Sequence, residues 1–340
     1  MTSRRKLFAT AALVCILGAL AAAAGWLAYD WHRPYKGYEG ALTLSVQRGE
    51  PAGEVLEDLA ARGVVKHRLS LKLAYSFMRR GMTIKAGRYS FDRPMAPLQV
   101  LDKLRKGEVV YVKVTLPEGL RIGEAAHLFS KEGLGSYPRF LEAMRDPSPI
   151  RDLDPQAKTL EGYLFPETYL VATGTDEDAI VRILVDKFRA WWKLNREPAP
   201  DGLDLRQIVT LASIVEKETA NPTERPLIAG VFYNRLRKGM LLQSDPTVIY
   251  ALVRDGRYRG VITRRDLHFE SPYNTYVVKG LPPGPICSPG KASLSAALNP
   301  DRTGYLYFVS KGNGTHAFSK TLTEHNRAVA KYQLHSGGRR

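Results

Sequence analysis

The sequence predicts an α+β fold that follows a single membrane-spanning helix. Three features of the 340-residue chain predict it: an uncharged apolar run over residues 7–29, short strand-like segments at 42–46, 85–91 and 109–116, and helical apolar periodicity over many of the remaining segments. Helices and short strands that mix along one chain are typical of the α+β class. The length allows two or three domains.

The N-terminal apolar run has the length and the flanks of a membrane anchor. Its 23 residues can cross a bilayer as a helix, and the first six residues include Arg4, Arg5 and Lys6. Aromatic residues at 26, 29 and 31 mark the far interface, and the basic flank predicts a cytoplasmic N-terminus with the rest of the chain outside. The alternative is a signal peptide cut near residues 22–24, but the run is long for a signal peptide.

The positive net charge of the chain indicates that it lies beside an anionic surface. Fifty basic residues stand against 34 acidic ones, which gives +16. The basic residues are scattered, and no zinc spacing, P-loop or aromatic-basic pattern accompanies them, so we expect a membrane or wall polymer rather than nucleic acid. Cys15 lies in the apolar run and Cys287 far from it, so no disulfide framework is predicted.

A weak internal repeat relates residues 46–63 to residues 116–133. Four positions agree at an offset of 70: three glycines and one glutamate. Each copy predicts a strand, a glycine turn and an amphipathic helix. Convergence on a common turn–helix pattern explains the match equally well. If the repeat is real, we expect paired binding or packing modules.

The most informative helix is predicted over residues 205–219. At about 100° per residue, Ile208, Leu211, Ile214 and Val215 form one apolar stripe, and Glu218 falls inside it. A carboxylate on a core-facing stripe is costly, and burial raises its pKa toward the range that a general acid needs. The alternative is a structural ion pair with a basic residue such as Arg225 or Arg235.

Two further glutamates lie in an aromatic segment at residues 160–171. Glu161 and Glu167 alternate there with tyrosine and phenylalanine, which predicts either a sugar-binding cleft or a packed strand with a capping glutamate. No Ser-His-Asp arrangement stands out, and His316 and His325 are interpreted as surface or packing residues. Acid chemistry on one glutamate remains, and glycoside cleavage fits it if the substrate supplies its own nucleophile; hydrolysis usually needs two carboxylates.

Several segments in order resemble the YceG-like family of endolytic murein transglycosylases. The segments are 160–169, 211–219, 234–250, 273–276, 280–290 and 306–326. The resemblance covers about residues 40–335. It implies a single-pass inner-membrane protein that cuts nascent peptidoglycan strands between N-acetylmuramic acid and N-acetylglucosamine and leaves a 1,6-anhydromuramic end. The family's catalytic glutamate matches Glu218, which the helical wheel selects independently.

The resemblance also implies a domain arrangement. Residues 1–6 are expected in the cytoplasm, 7–29 in the membrane, 42–110 in a small LysM-like glycan-positioning module and 111–335 in a periplasmic catalytic domain, with the cleft mainly from residue 150 onward. No metal or cofactor is implied. The expected partners are glycan strands and the inner membrane. Peptidoglycan synthases are further candidate partners, and nucleic acid is not an expected partner.

Four polar residues match family motifs and are candidates for lining the cleft: Gln243, Asp245, Asn274 and Tyr276. Hydrogen bonds that stabilise loops are the alternative for them. Two alternative functions stay open. A muramidase that uses water needs a second carboxylate, for which Glu216, Glu161 and Asp245 are the candidates, and a wall-binding scaffold needs no catalysis.

Overall fold

The computed structural model describes residues 2–78, 82–196 and 200–334. Contacts divide the chain into two compact units, Met1–Val112 with Leu170–Thr175, and Lys113–Tyr169 with Asp176–Arg340. Helices and short two-stranded sheets occur in the described residues, as an α+β fold requires. The domain boundaries at 42, 110, 111 and 335 stay a prediction.

The first unit begins with one long helix, which is followed by a small sheet and three shorter helices. These elements are α1 (Thr2–His32), β1 (Leu42–Val46), α2 (Ala52–Ala61), α3 (Arg68–Met78), β2 (Gly87–Phe91) and α4 (Pro97–Lys106). Within α1, Leu7–His32 is long and apolar enough to cross a membrane, a character that signal sequences share. The sequence predicts helix α3 over residues 69–80, and the last two of these positions lie outside the described residues.

A sheet of two antiparallel strands carries the core of the first unit. Strand β1 pairs with β2 in the register Leu42↔Phe91 to Val46↔Gly87. Because strand side chains alternate, Leu44 and Val46 point inward and pack with the apolar faces of α2, α3 and α4. Thr43 and Ser45 lie on the outer, exposed face.

The chain enters the second unit within β3 (Tyr111–Thr115) and leaves it briefly within β4 (Thr168–Ala172), and these two strands form a second sheet. The other elements of this unit are α5 (Ile122–Lys131), α6 (Tyr137–Arg145), α7 (Glu177–Asn195), α8 (Leu205–Glu218), α9 (Arg225–Arg237), α10 (Asp245–Arg254), α11 (Lys291–Leu298), β5 (Tyr307–Ser310), β6 (His316–Ser319) and α12 (Leu322–Val329). Residues Ala330–Leu334 continue α12 as a π-helical turn.

Helix α8 is the centre of the second unit, because α9, α10 and α11 all pack against it. Its residues from Ile208 to Val215 are buried on every side. The turn-rich segment before α11 runs along the same helix: the backbone N–H of Ile286 donates to Ser213 Oγ at 3.0 Å, and Cys287 Sγ contacts the Ser213 carbonyl at 3.4 Å. This packing fixes the C-terminal end of α8, where Glu218 lies.

The two copies of the weak repeat adopt the same local structure. Each contains one helix, α2 or α5, that follows the end of a strand, β1 or β3; beyond the matched residues, a second helix and a strand that pairs with the first follow in both places. Gly49 and Gly119 have φ of 79° and 77°, and Gly63 and Gly133 have φ of 74° and 70°. Such positive φ values favour glycine, so two of the three matched glycine pairs share a backbone requirement.

Candidate active site

Helix α8 begins and ends in ways that the sequence explains. Asp204 caps its N-terminus by accepting a hydrogen bond from the backbone N–H of Gln207, whose side chain bonds back to Asp204 in a capping box. The helix ends at Glu218, and Thr219 is extended. Glu218 is therefore the last residue of the helix, and its side chain can bond groups outside the helix.

The carboxyl group of Glu218 is partly buried and has one close hydrogen-bond partner. Ser244 Oγ donates to Glu218 Oε1 at 2.5 Å. Burial raises the pKa of Glu218 from 4.5 to about 7, and the negative charge of Asp245 adds to the rise. The Ser244 hydroxyl and the Arg235 guanidinium act in the opposite direction. A carboxyl group with this pKa can both give and take a proton near neutral pH.

Ser244 lies just before α10, at a position where serine usually caps the helix. It makes no side-chain cap hydrogen bond, since its hydroxyl points to Glu218. Its backbone N–H donates to Thr275 Oγ1 at 3.0 Å, and Gln243 before it has φ of 49°, in the left-handed region. The strained turn therefore holds the serine hydroxyl against the carboxyl group.

A polar pair lies next to this serine. Tyr276 donates its phenolic hydrogen to Asp245 Oδ1 at 2.6 Å; Asp245 follows Ser244 in sequence, and Tyr276 follows Thr275, which accepts from the Ser244 N–H. Asp245 and Gln243 are exposed and Tyr276 is partly exposed. Asn274, by contrast, is fully buried, and its amide nitrogen donates to the carbonyls of Leu267 and Phe269. Asn274 thus stabilises the loop, whereas Gln243 and Asp245 flank Ser244 in sequence and Tyr276 bonds Asp245.

Neither arginine considered as a partner for Glu218 forms an ion pair with it. The Arg235 guanidinium is buried and donates to the carbonyls of Leu306 at 2.7 Å and Leu242 at 2.7 Å, so it affects Glu218 only through its charge. Arg225 pairs instead with Glu216 at 2.9 Å. Among the described residues Glu218 therefore has no ion-pair partner, and the charge of Arg235 only partly opposes the rise in its pKa.

A buried ionic network fixes the face of α8 that carries Glu216. Arg225 also reaches Glu118 at 3.4 Å, and the backbone N–H of Gly290 donates to Glu216 Oε2 at 2.9 Å. A Cβ at position 290 would displace the Glu118 carboxylate from its present place. The network ties the loop after β3, α8, the start of α9 and the start of α11 together.

Glu161 belongs to a different place from Glu218. Its carboxylate accepts hydrogen bonds from the backbone N–H of Ile122 at 3.1 Å and from the Tyr250 hydroxyl at 3.2 Å. Burial raises its pKa to about 8. It lines a cavity of ≈670 Å³ together with Arg121, Arg254 and other residues, a set that does not include Glu218. Glu167 pairs with Lys187 of α7 at 3.3 Å.

Comparison with known proteins places this chain. The sequence model of the YceG-like family matches residues 44–331, which is most of the chain.

The chain belongs to the YceG-like family.

Characterised and solved relatives agree with this assignment. A protein of Bacillus subtilis (strain 168) named endolytic murein transglycosylase is 32% identical over 308 residues, which cover 86% of this chain and 84% of that protein. A Streptococcus pneumoniae protein (strain D39) of the same name is 30% identical, and the matched region spans 58% of its length. A crystal structure of a yceG-like protein from Listeria monocytogenes is 32% identical, with a TM-score of 0.55, and covers 85% of this chain and 99% of that one.

This YceG-like site contains a residue that sequence reasoning missed. Ser244 donates a side-chain hydrogen bond to Glu218, whereas the sequence pattern pointed only to its neighbours Gln243 and Asp245. A serine followed by Asp-Pro is typical of a helix N-cap, and that ordinary interpretation hides it. Its unusual position beside Gln243 in the left-handed region is visible only in the fold.

Proposed function

We propose that the chain is an endolytic murein transglycosylase, an enzyme that cuts peptidoglycan strands within the strand between N-acetylmuramic acid and N-acetylglucosamine. The relatives that carry this name support the activity. The observation that supports the chemistry is the partly buried Glu218 carboxyl, whose pKa burial raises to about 7. A water-using muramidase is not favoured by these relatives.

The proposed reaction uses Glu218 twice. Protonated Glu218 gives its proton to the glycosidic oxygen as the bond from muramic C1 to that oxygen breaks. The resulting carboxylate then takes the proton of the muramic 6-hydroxyl, whose oxygen bonds to C1 and closes the 1,6-anhydro ring. Glu218 ends protonated, as it began, and no water enters the product.

Three exposed or partly exposed side chains are the best candidates for contacting the glycan beside Glu218. Gln243 and Asp245 flank Ser244 in sequence and Tyr276 bonds Asp245, and their amide, carboxylate and phenol suit sugar hydroxyls. Asn274 supports them by stabilising their loop. The contacts of Glu161 and Glu167 favour structural or more distant binding roles over contact with the bond that is cleaved.

The same proposal includes a place in the cell. Helix α1 would anchor the chain in the inner membrane as a single span, with a cytoplasmic N-terminus and a periplasmic catalytic domain, as the basic residues before the apolar run favour. Residues 42–110 would form the LysM-like glycan-positioning module, and their strand–helix–helix–strand core supports a separate small module. Peptidoglycan synthases, which make strands at this surface, are partners that such a position favours.

Mass analysis of reaction products tests the activity. Full-length wild type, Glu218→Gln and the control Glu142→Gln would each be incubated with uncrosslinked glycan strands. We expect anhydro ends from wild type and from the control, whose side chain is 70% exposed. Glu218→Gln should fold normally and lose about 10²–10⁴-fold or more in rate, since it lacks the acid–base proton. Reducing ends that carry added water, or an active Gln variant, would overturn the proposal.

A further inference from the structure

Helix α3 of the first unit has an exposed apolar stripe. Leu69, Leu73 and Phe77 lie four residues apart and so fall within about 80° of the helix circumference. They are 73%, 45% and 83% exposed, whereas Leu71 and Ala74 of the same helix are fully buried in the core. Large apolar side chains grouped in this way on a surface mark an interaction site. We refer to Leu69, Leu73 and Phe77 as the α3 stripe.

The α3 stripe lies beside the end of the apolar helix α1. Trp31 Nε1 donates to the Ser70 carbonyl at 3.1 Å, and its ring lies 6.0 Å from the ring of Phe77. One and a half turns earlier in α1, Trp26 lies 5.3 Å from the ring of His67, next to the start of α3. The first turn of α3 is thus level with Trp26, inside the segment that is apolar enough to span a membrane.

The charges around the stripe suit phospholipid headgroups. Lys66, His67 and Arg68 lie where α3 begins, and Lys72 lies one turn later. Arg68 and Lys72 share the Glu57 carboxylate, and His67 lies 3.8 Å from Asp30, so the three lysine and arginine side chains at this end of α3 face two carboxylates. Basic side chains beside an apolar helical face are typical of helices that lie in a membrane interface.

We propose that the α3 stripe inserts into the headgroup–acyl boundary of the leaflet at which the C-terminal end of α1 emerges, with its basic residues on anionic phospholipid phosphates. The occupant is lipid, because the stripe continues the apolar surface of a helix that is itself in the bilayer. The inference rests on the proposed anchor. Its consequence is that the first unit is held against the membrane at two places, so its orientation is restricted.

Lipid-borne quenching of single-site labels tests this. The full-length protein, with Cys15→Ser and with the buried Cys287 retained, receives one new cysteine at a time: Leu73→Cys or Phe77→Cys on the stripe, Trp26→Cys in α1, and Ser45→Cys on the exposed face of β1. Each is labelled with a fluorophore and reconstituted into vesicles of phosphatidylcholine and phosphatidylglycerol that contain lipids spin-labelled near the headgroup.

We expect both stripe labels to lose at least about half of their fluorescence, since interfacial helices bury their apolar face about 5–10 Å deep. The label at position 45 should lose little. Stripe labels that behave like position 45 while position 26 is quenched would overturn the proposal and leave the anchor intact. Stripe labels shielded from aqueous iodide but not quenched by lipid would also overturn it, because a protein would then cover the stripe. If lipid does not quench the label at position 26, the proposed membrane anchor is wrong, and the inference that rests on it is overturned as well.

Discussion

The pKa of Glu218 reflects a balance that one hydroxyl group can change. Burial favours the neutral acid, while the hydrogen bond from Ser244 favours the carboxylate. The balance leaves the group near pH 7, where a single residue can serve as acid and then as base. Loss of the burial or of the Ser244 hydrogen bond would move the pKa of Glu218 away from about 7, and one of the two roles, acid or base, would then be disfavoured at neutral pH.

Substitution Ser244→Ala should raise the pKa of Glu218. The lost hydrogen bond stabilised the charged form, so the neutral form persists to higher pH and the alkaline limb of the kcat/KM profile moves up by about one pH unit. The pH dependence of anhydro-product release measures this.

The control for this variant is Ser213→Ala on the same helix. Ser213 is buried and bonds only backbone groups, the Thr210 carbonyl and the Ile286 N–H. Its loss should destabilise the fold without moving the alkaline limb. An unchanged limb in Ser244→Ala would contradict the assigned role of that hydroxyl.

At the scale of elements, two buried polar contacts connect helices that the sequence separates widely. Glu161 connects the loop before β4 to α5 and α10, and Arg225 connects α9 to α8 and to the loop after β3. Unfolding would expose the Glu161 carboxyl and the Arg225–Glu216 ion pair to water. Stability measurements can therefore test both.

The buried Glu161 should make stability fall as pH rises. Its pKa is about 8 in the folded chain, against the ordinary value of 4.5 that applies in the unfolded chain. Between these pH values the folded chain therefore binds more protons than the unfolded chain. The contribution is fully present below about pH 4.5 and is lost as pH rises to about 8, on the order of 5 kcal/mol.

Glu161→Gln, which cannot ionise, should lack this component of the pH dependence. Denaturant unfolding of both proteins at pH values from 5 to 8, about the range between the two pKa values, compares them. Parallel stability curves for wild type and variant would show that Glu161 is already ionised in the fold at neutral pH.

Arg225→Met should destabilise the second unit by about 3–5 kcal/mol, because it leaves the buried Glu216 without its cation. The two side chains are 7% and 6% exposed. Arg139→Met removes a comparable pair with 55% and 70% exposure and should cost less than about 1 kcal/mol. Urea unfolding measures both variants, and equal losses would contradict the importance of burial at this network.

At the scale of the whole molecule, the sequence predicted elements better than contacts. The apolar stripe of α8 predicted a helix over 205–219, and the structure has it over Leu205–Glu218. The last helix changes to a π-helical turn at Ala330, which periodicity alone does not reveal.

The site was predictable only where one helix carried it. Glu218 follows from its own helical wheel, which a local pattern contains. Ser244 lies 26 residues away from it, and Glu118 lies 107 residues from Arg225, so no periodicity links them. Tertiary packing decides such pairs. For the same reason, the pattern around Glu161 is consistent with two alternatives, a sugar-binding cleft and a packed strand.

The hydroxyl group of Ser244 has a consequence for how the site passes through its cycle. A serine hydroxyl can donate one hydrogen bond or accept one by rotating its hydrogen about a single bond. It can therefore donate to the Glu218 carboxylate and accept from the Glu218 acid while the oxygen atoms stay 2.5 Å apart. Proton transfer to and from Glu218 then requires only the reorientation of one hydrogen. A backbone N–H or a lysine in its place can only donate, so it could not accept the hydrogen of the Glu218 acid; the serine favours the carboxylate and still keeps a hydrogen bond to the acid.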